Sequence, residues 1–207
     1  MKSVALLSAQ APDAVAWLLD HAAQAAGGTD GPRRVAIQVG VADLAGQPPR
    51  YDAVLEIWHE AHGVADALIA SLAGRFAVEL YLAEEVVAKP AAVATTAGIS
   101  PGIASLSFIR AKPALSHTEA SRHWCEHAPL ACEIHWGMTR YIQNRFDAGE
   151  QASSGWFGMA HLHFPDAETS RDGLFRTAED RTVIGADVAE FVEDHVTMLA
   201  VEHVIRA

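Results

Sequence analysis

The chain has 207 residues, half of them hydrophobic and 20% charged, with a formal net charge of −11. This is the composition of a soluble globular protein, of one large domain or two small ones. The acidic balance lacks the basic footprint that nucleic acid or an anionic membrane surface requires, and no stretch is apolar and long enough to span a bilayer.

Val4-Ala5-Leu6-Leu7 reads as a strand and is too short for a secretion signal. Asp13 can cap the Ala/Leu-rich helix from Ala14 to Ala26, which Gly27-Gly28 ends. Arg33 to Val41 alternates as a second strand. Gly46-Gln47-Pro48-Pro49 is a loop, Tyr51 to Trp58 a third strand, Val64 to Leu72 a second helix and Phe76 to Val87 a fourth strand. The order is β-α-β-β-α-β. Residues 90–100 read as a linker, and the pattern then begins again. Ile103 to Arg110 is a strand, Ser116 to about Leu130 a helix that can extend to His135, and Thr139 to Phe146 a strand. A polar loop, 147–155, leads to a strand from Trp156 to Phe164. A helical region from Asp166 or Thr169 to about Asp194 should break near Gly185, and Val196 to Ile205 is the last strand. Trp17 and Trp124 occupy matching places in the two first helices. The expected fold class is α+β: two fused ferredoxin-like units, 1–89 and 101–207, packed sheet to sheet into an α+β barrel.

Cys125 and Cys132 are the only cysteines, so reduced thiols and a cytoplasmic setting are expected. Eight of the eleven histidines follow residue 115, which directs the search for chemistry to the second half. Ser116 and Glu119 form a capping box, and His123 and His127 share a helix face. Pro129 should end or bend the helix and aim His127 at the barrel mouth. His127 suits a general acid/base, since imidazole titrates near neutral pH. The bland alternative is a histidine bonded to a freed carbonyl. His123-Trp124-Cys125-Glu126-His127 also fits an inverted zinc-protease pattern, but the pattern is short. A Cys125 nucleophile is disfavoured because Cys125 and His127 do not face each other.

Strand alternation places His161 and His163 on one face, toward the barrel interior, with Tyr141 and Gln143 on the corresponding face and Asn144 opposite or at a distortion. Trp156 and Trp136 could wall an aromatic pocket. No phosphate loop, Rossmann fingerprint or nucleophile elbow is present.

The run ending in His127-Ala128-Pro129-Leu130, then Arg140-Tyr141-Ile142-Gln143-Asn144, then Val201-Glu202-His203-Val204-Ile205, resembles the EthD family of the dimeric α+β barrel superfamily. The likeness covers about residues 100–207; the first half shares only topology. It implies a pocket between sheet and helices. Relatives include cofactor-free dehydratases and cyclases acting on polyketide-like aromatics, and the superfamily extends to lactone isomerases, small monooxygenases and haem-handling proteins.

These readings predict a cofactor-independent acid/base enzyme (lyase, cyclase, isomerase or decarboxylase) for a small apolar, aromatic or polyketide-like compound. His127, His123, His161 and Tyr141 are the expected catalytic groups. Trp124, His163, Gln143 and Asn144 are the expected substrate contacts, with neither metal nor cofactor. The partner is a small molecule, not nucleic acid or membrane, and a homodimer is open. The alternatives are a non-catalytic barrel for hydrophobic ligands, and a metal- or haem-dependent monooxygenase using His161 and His163.

Overall fold

A computed structural model describes residues 1–27, 31–60, 62–92, 96–147 and 154–207. Its elements are β1 (Lys2–Ala9), α1 (Ala14–Ala26), β2 (Arg34–Asp43), β3 (Ala53–Trp58), α2 (His62–Ala70), β4 (Phe76–Lys89), β5 (Gly98–Ile99), β6 (Ile103–Ala111), α3 (His117–Ile134), β7 (Arg140–Phe146), β8 (Gly158–Phe164), α4 (Ala167–Asp172), α5 (Ala178–Phe191) and β9 (Val192–Arg206). The 147–155 loop lies mostly outside the described residues, as do positions 93–95 of the linker.

The strands run β2-β3-β1-β4-β7-β8-β6-β9, and β9 pairs back onto β2, closing an antiparallel barrel of eight strands. Closure removes the sheet edges that would otherwise invite pairing with other chains. The short β5 adds to β9 within the expected linker. Strand–helix–strand–strand–helix–strand occurs in β1–β4 and again in β6–β9, the second time with its last helix split in two. That split falls between Asp172 and Ala178, not at Gly185, which lies inside α5. Two caps fix it: Asp166 accepts from the Thr169 amide, and Thr177 forms a capping box with Asp180.

Alternation along each strand sorts side chains between the barrel interior and the outer, helix-covered face. On the outer face α1 and α2 seal the first half over Leu18, Ile37, Leu55 and Leu72. The second half packs Trp124, Tyr141, Phe157 and Phe164 under α3 and α5. Inside the barrel, Leu6, Tyr81, Phe108, Phe146, Trp156 and Met159 form a third apolar cluster. Trp156 is thus a core residue, donating from Nε1 to the Tyr51 hydroxyl at 2.8 Å, while Trp136 is 49% exposed. Trp17 is only partly buried, stacked on His21 at 4.4 Å, and Leu18 takes the fully buried place in α1.

The capping box at α3 forms as the sequence predicts: Ser116 Oγ accepts from the Glu119 amide, and the Glu119 carboxylate accepts from the Ser116 amide at 2.8 Å. Of the two readings, a stop near Pro129 or an extension to His135, the extension is the one observed: α3 runs through Pro129 to Ile134. A proline within a helix costs about 3 kcal/mol. Ala131 and Ile134, both buried beyond it, offset that cost by packing on the sheet. Among the described residues, no helix is long and apolar enough to cross a membrane.

Candidate active site

A cavity of about 380 Å³ opens between α3, α5 and the outer face of β6–β9. Its walls are chiefly apolar, including Ile109, Ala131, Ile184, Val188 and Phe191, and Leu44 reaches it from the first half of the chain. Such a pocket with a few convergent polar groups is the form of a small-molecule site.

His127 lines this cavity from α3 and is 6% exposed. Its Nδ1 lies 2.6 Å from Asp187 Oδ2 on α5, and His123 Nε2 lies 3.3 Å from the other oxygen of the same carboxylate. An Nδ1–H donated to Asp187 fixes the His127 tautomer and leaves Nε2 with its lone pair, available to the cavity. Both rings also pack on Phe191, with centroids 5.0 and 5.7 Å away. Glu126, the third member of the zinc-like pattern, is exposed and pairs with Arg122, so the pattern does not converge on one point.

Tyr141 also lines the cavity. Its hydroxyl oxygen accepts from Trp124 Nε1 at 3.0 Å and from Gln143 Nε2 at 3.1 Å, and Gln143 donates its other N–H to the Trp124 carbonyl. Burial pushes the phenol up to about 12, so it stays protonated. With both lone pairs occupied, its own O–H is the part left to donate. Trp124 is held by contact with Gly158, where a Cβ would come within 2.5 Å of the indole and 2.6 Å of the Asn144 carbonyl. Gly158→Ala is therefore expected to lower stability by about 1–3 kcal/mol, read as a shift in urea midpoint; an unchanged midpoint would show that the indole has room to move.

Three titratable cavity residues went unpredicted: His135, Arg181 and His195. His135, just past α3, has Nδ1 on the Leu174 carbonyl at 2.8 Å, and burial holds it below its ordinary pKa. Arg181 lines the cavity from the exposed start of α5. Asp187 was missed as well. It lies 60 residues from His127, and only a stripe of Ile184, Val188 and Phe191 along α5 hints which side of that helix meets α3.

The sheet divides the other expected site residues. Tyr141 and Gln143 face the helices, whereas His161, His163 and Asn144 face inward, so the expected shared face for Tyr141 and His161 is corrected. Tyr141 pairs in register with Leu162, and His161 with Ile142. His161 sits in a closed polar network inside the barrel. Arg140 Nη2 is 3.0 Å from His161 Nε2 and 2.8 Å from Glu202; Gln38 donates to both Glu56 and Glu202. Lys2 Nζ lies 2.6 Å from each of Glu56, Glu85 and Asn144. Burial and then Arg140 push His161 down to about 3 and His163 down to about 4. His163 lines a different cavity, of about 440 Å³, with Arg140 and Glu202. His161 and His163 therefore do not line the His127 cavity.

Glu56, His161 and Glu202 place ligand atoms within 4.8 Å of one another, yet they do not fit a metal as arranged. Arg140 donates to His161 Nε2, so the neutral ring carries its proton on Nδ1, the nitrogen that faces Glu56 at 3.8 Å. Lys2 and Arg140 already balance both carboxylates.

Residues 112–195, which hold α3, β7, β8 and α5 and most of the lining of the His127 cavity, match the model of the EthD domain. That segment is similar to the EthD domain. No curated protein matches the chain by sequence. Solved structures share the fold beyond the EthD segment. An anthrone oxidase-like protein superposes with a TM-score of 0.66 at 10% identity, covering 99% of this chain and 92% of that one. A candidate monooxygenase from Fusobacterium nucleatum subsp. nucleatum ATCC 25586 gives 0.58 at 10% identity, with coverage of 99% and 92%. A chlorite dismutase variant from Candidatus Nitrospira defluvii gives 0.50 at 11%, with coverage of 96% and 90%. At these identities the likeness establishes the α+β barrel fold alone.

Proposed function

We propose that the protein is a cofactor-independent acid/base enzyme for a small, largely apolar, aromatic or polyketide-like compound. The observation that carries this reading is His127 at the wall of an apolar cavity, with its Nδ1 held by Asp187. His127 Nε2 removes a proton from a carbon beside a carbonyl, and Asp187 stabilises the imidazolium that forms. Tyr141 O–H donates to the enolate oxygen, a contact stronger in the transition state than in the ground state. The resulting carbanion can then expel a leaving group, close a ring or be reprotonated elsewhere.

A second reading is favoured by the anthrone oxidase-like and monooxygenase neighbours. The same carbanion would give electrons to dioxygen; for anthrone, one O₂ yields anthraquinone and one water. Both readings need the same base. The two-unit organisation, 1–89 and 101–207 joined by 90–100, belongs to this proposal too. It is supported by the recurring element order, with the second copy retaining the cavity.

Anthrone and a set of phenolic 1,3-diketones in D₂O provide the test. Under nitrogen, the protein is expected to speed exchange of the acidic C–H, followed by NMR. In air, oxygen uptake selects the oxygenase reading, and exchange or elimination without uptake selects the lyase–isomerase reading. Binding without exchange or product formation for every member would sink both and leave a ligand-binding barrel.

A further inference from the structure

We propose that Arg181 and Gly185, one turn apart on α5, select an aromatic carboxylate as the substrate of this cavity. The inference rests on the cavity being the substrate site and adds the charge and shape of what it takes.

The first observation is charge. The chain has 26 acidic residues against 15 basic ones, yet among its described residues the cavity is lined by no carboxylate. Its titratable lining is Arg181, three imidazoles (His127, His135, His195) and the Tyr141 phenol. Arg181 is the permanent cation of the set. Among the described residues it has no carboxylate partner; its guanidinium lies over the Phe175 ring, 4.9 Å from the centroid. That contact leaves the planar edge of N–H donors free for a bidentate carboxylate. Of the acids beside it in sequence, Glu179 is exposed and Asp180, half-buried, is engaged by the Arg176 and Thr177 amides.

The second observation is space. Gly185 lines the cavity four residues after Arg181, so both project from the same face of α5. A Cβ at Gly185 would meet nothing within 4 Å. Glycine inside a helix costs about 0.5–1 kcal/mol relative to alanine, and no close packing here compels it. The missing side chain opens α5 between the Arg181 guanidinium and the His127–Asp187 pair. A flat ring can lie across that gap with its carboxylate on Arg181 and its reacting carbon toward His127.

Calorimetric titration of the full chain with 1-hydroxy-2-naphthoate and with its methyl ester tests this. The wild type is expected to bind the acid about tenfold or more tighter than the ester. Arg181→Met should erase that gap by weakening the acid alone. Gly185→Leu should weaken both ligands at least tenfold without lowering the thermal midpoint, since leucine is the better helix former. A wild type with no gap, a gap that survives Arg181→Met, or unchanged binding by Gly185→Leu would overturn the proposal. Proton exchange by the wild type, measured beside binding, separates it from the acid/base reading. A preserved acid–ester gap together with no proton exchange by the wild type would retain the selector and reject the base.

Discussion

His127→Gln is expected to lower kcat/KM for the true substrate by about 10²- to 10⁴-fold, the range for loss of a general base. By the tenfold-per-1.36 kcal/mol relation this is about 3–5 kcal/mol of transition-state stabilisation. Glutamine keeps a polar group near Asp187, so the thermal midpoint should move little. The measurement is turnover and C–H exchange beside a melting curve. Near-wild-type exchange in a folded variant would remove His127 from the chemistry.

Asp187→Asn separates positioning from proton transfer. An amide can present N–H to His127 Nδ1 and so hold the wrong tautomer, with the proton on Nε2. Turnover should fall while KM changes less, and the limb of the pH–rate profile that reports the base should move. His123 shares the Asp187 carboxylate at 3.3 Å but is absent from the cavity lining. His123→Ala should cost less than either change.

Much of this site was legible in the sequence because it is local. The Ser116–Glu119 box sets the start of α3, and i, i+4 spacing puts His123 and His127 together before any tertiary contact is known. The faces of β7 were not legible. Alternation identifies the buried side of a strand only when the other side is wet, and both sides of this barrel wall are buried. Arg140, Gln143 and Asn144 are all nearly inaccessible, so polarity carried no phase, and Tyr141 was assigned to the His161 side. Pro129 misled for a related reason. Its local penalty is real, but packing beyond it decides the helix end. Asp187 and Arg181 could not be found from local pattern at all, since an acidic or basic residue on an amphipathic helix ordinarily faces water.

Lys2→Met is expected to cost about 3–5 kcal/mol, the usual penalty for removing one partner of a buried ion pair. Lys2 is 2% exposed and lies 2.6 Å from Glu56, itself 1% exposed. Burial by itself would raise the Glu56 carboxyl, but Lys2 and, when protonated, His161 hold it below its ordinary 4.5. Arg140 and, when protonated, His161 likewise outweigh burial at Glu202. Without Lys2, Glu56 must remain charged without its cation or take up a proton, so the loss should be largest at neutral pH and shrink in acid. Pairing Lys2→Met with Glu56→Gln should recover part of it. The wild type should lose stability steadily in acid. His161 and His163 are depressed to about 3 and 4 from 6.5, so below about pH 6.5 the unfolded chain binds protons that the native one refuses. The carboxylates join in below about 4.5. Urea midpoints between pH 8 and 4 measure the slope, and His161→Phe should flatten its upper part. A wild-type midpoint constant over that range would show that the interior histidines take up protons without opening the barrel.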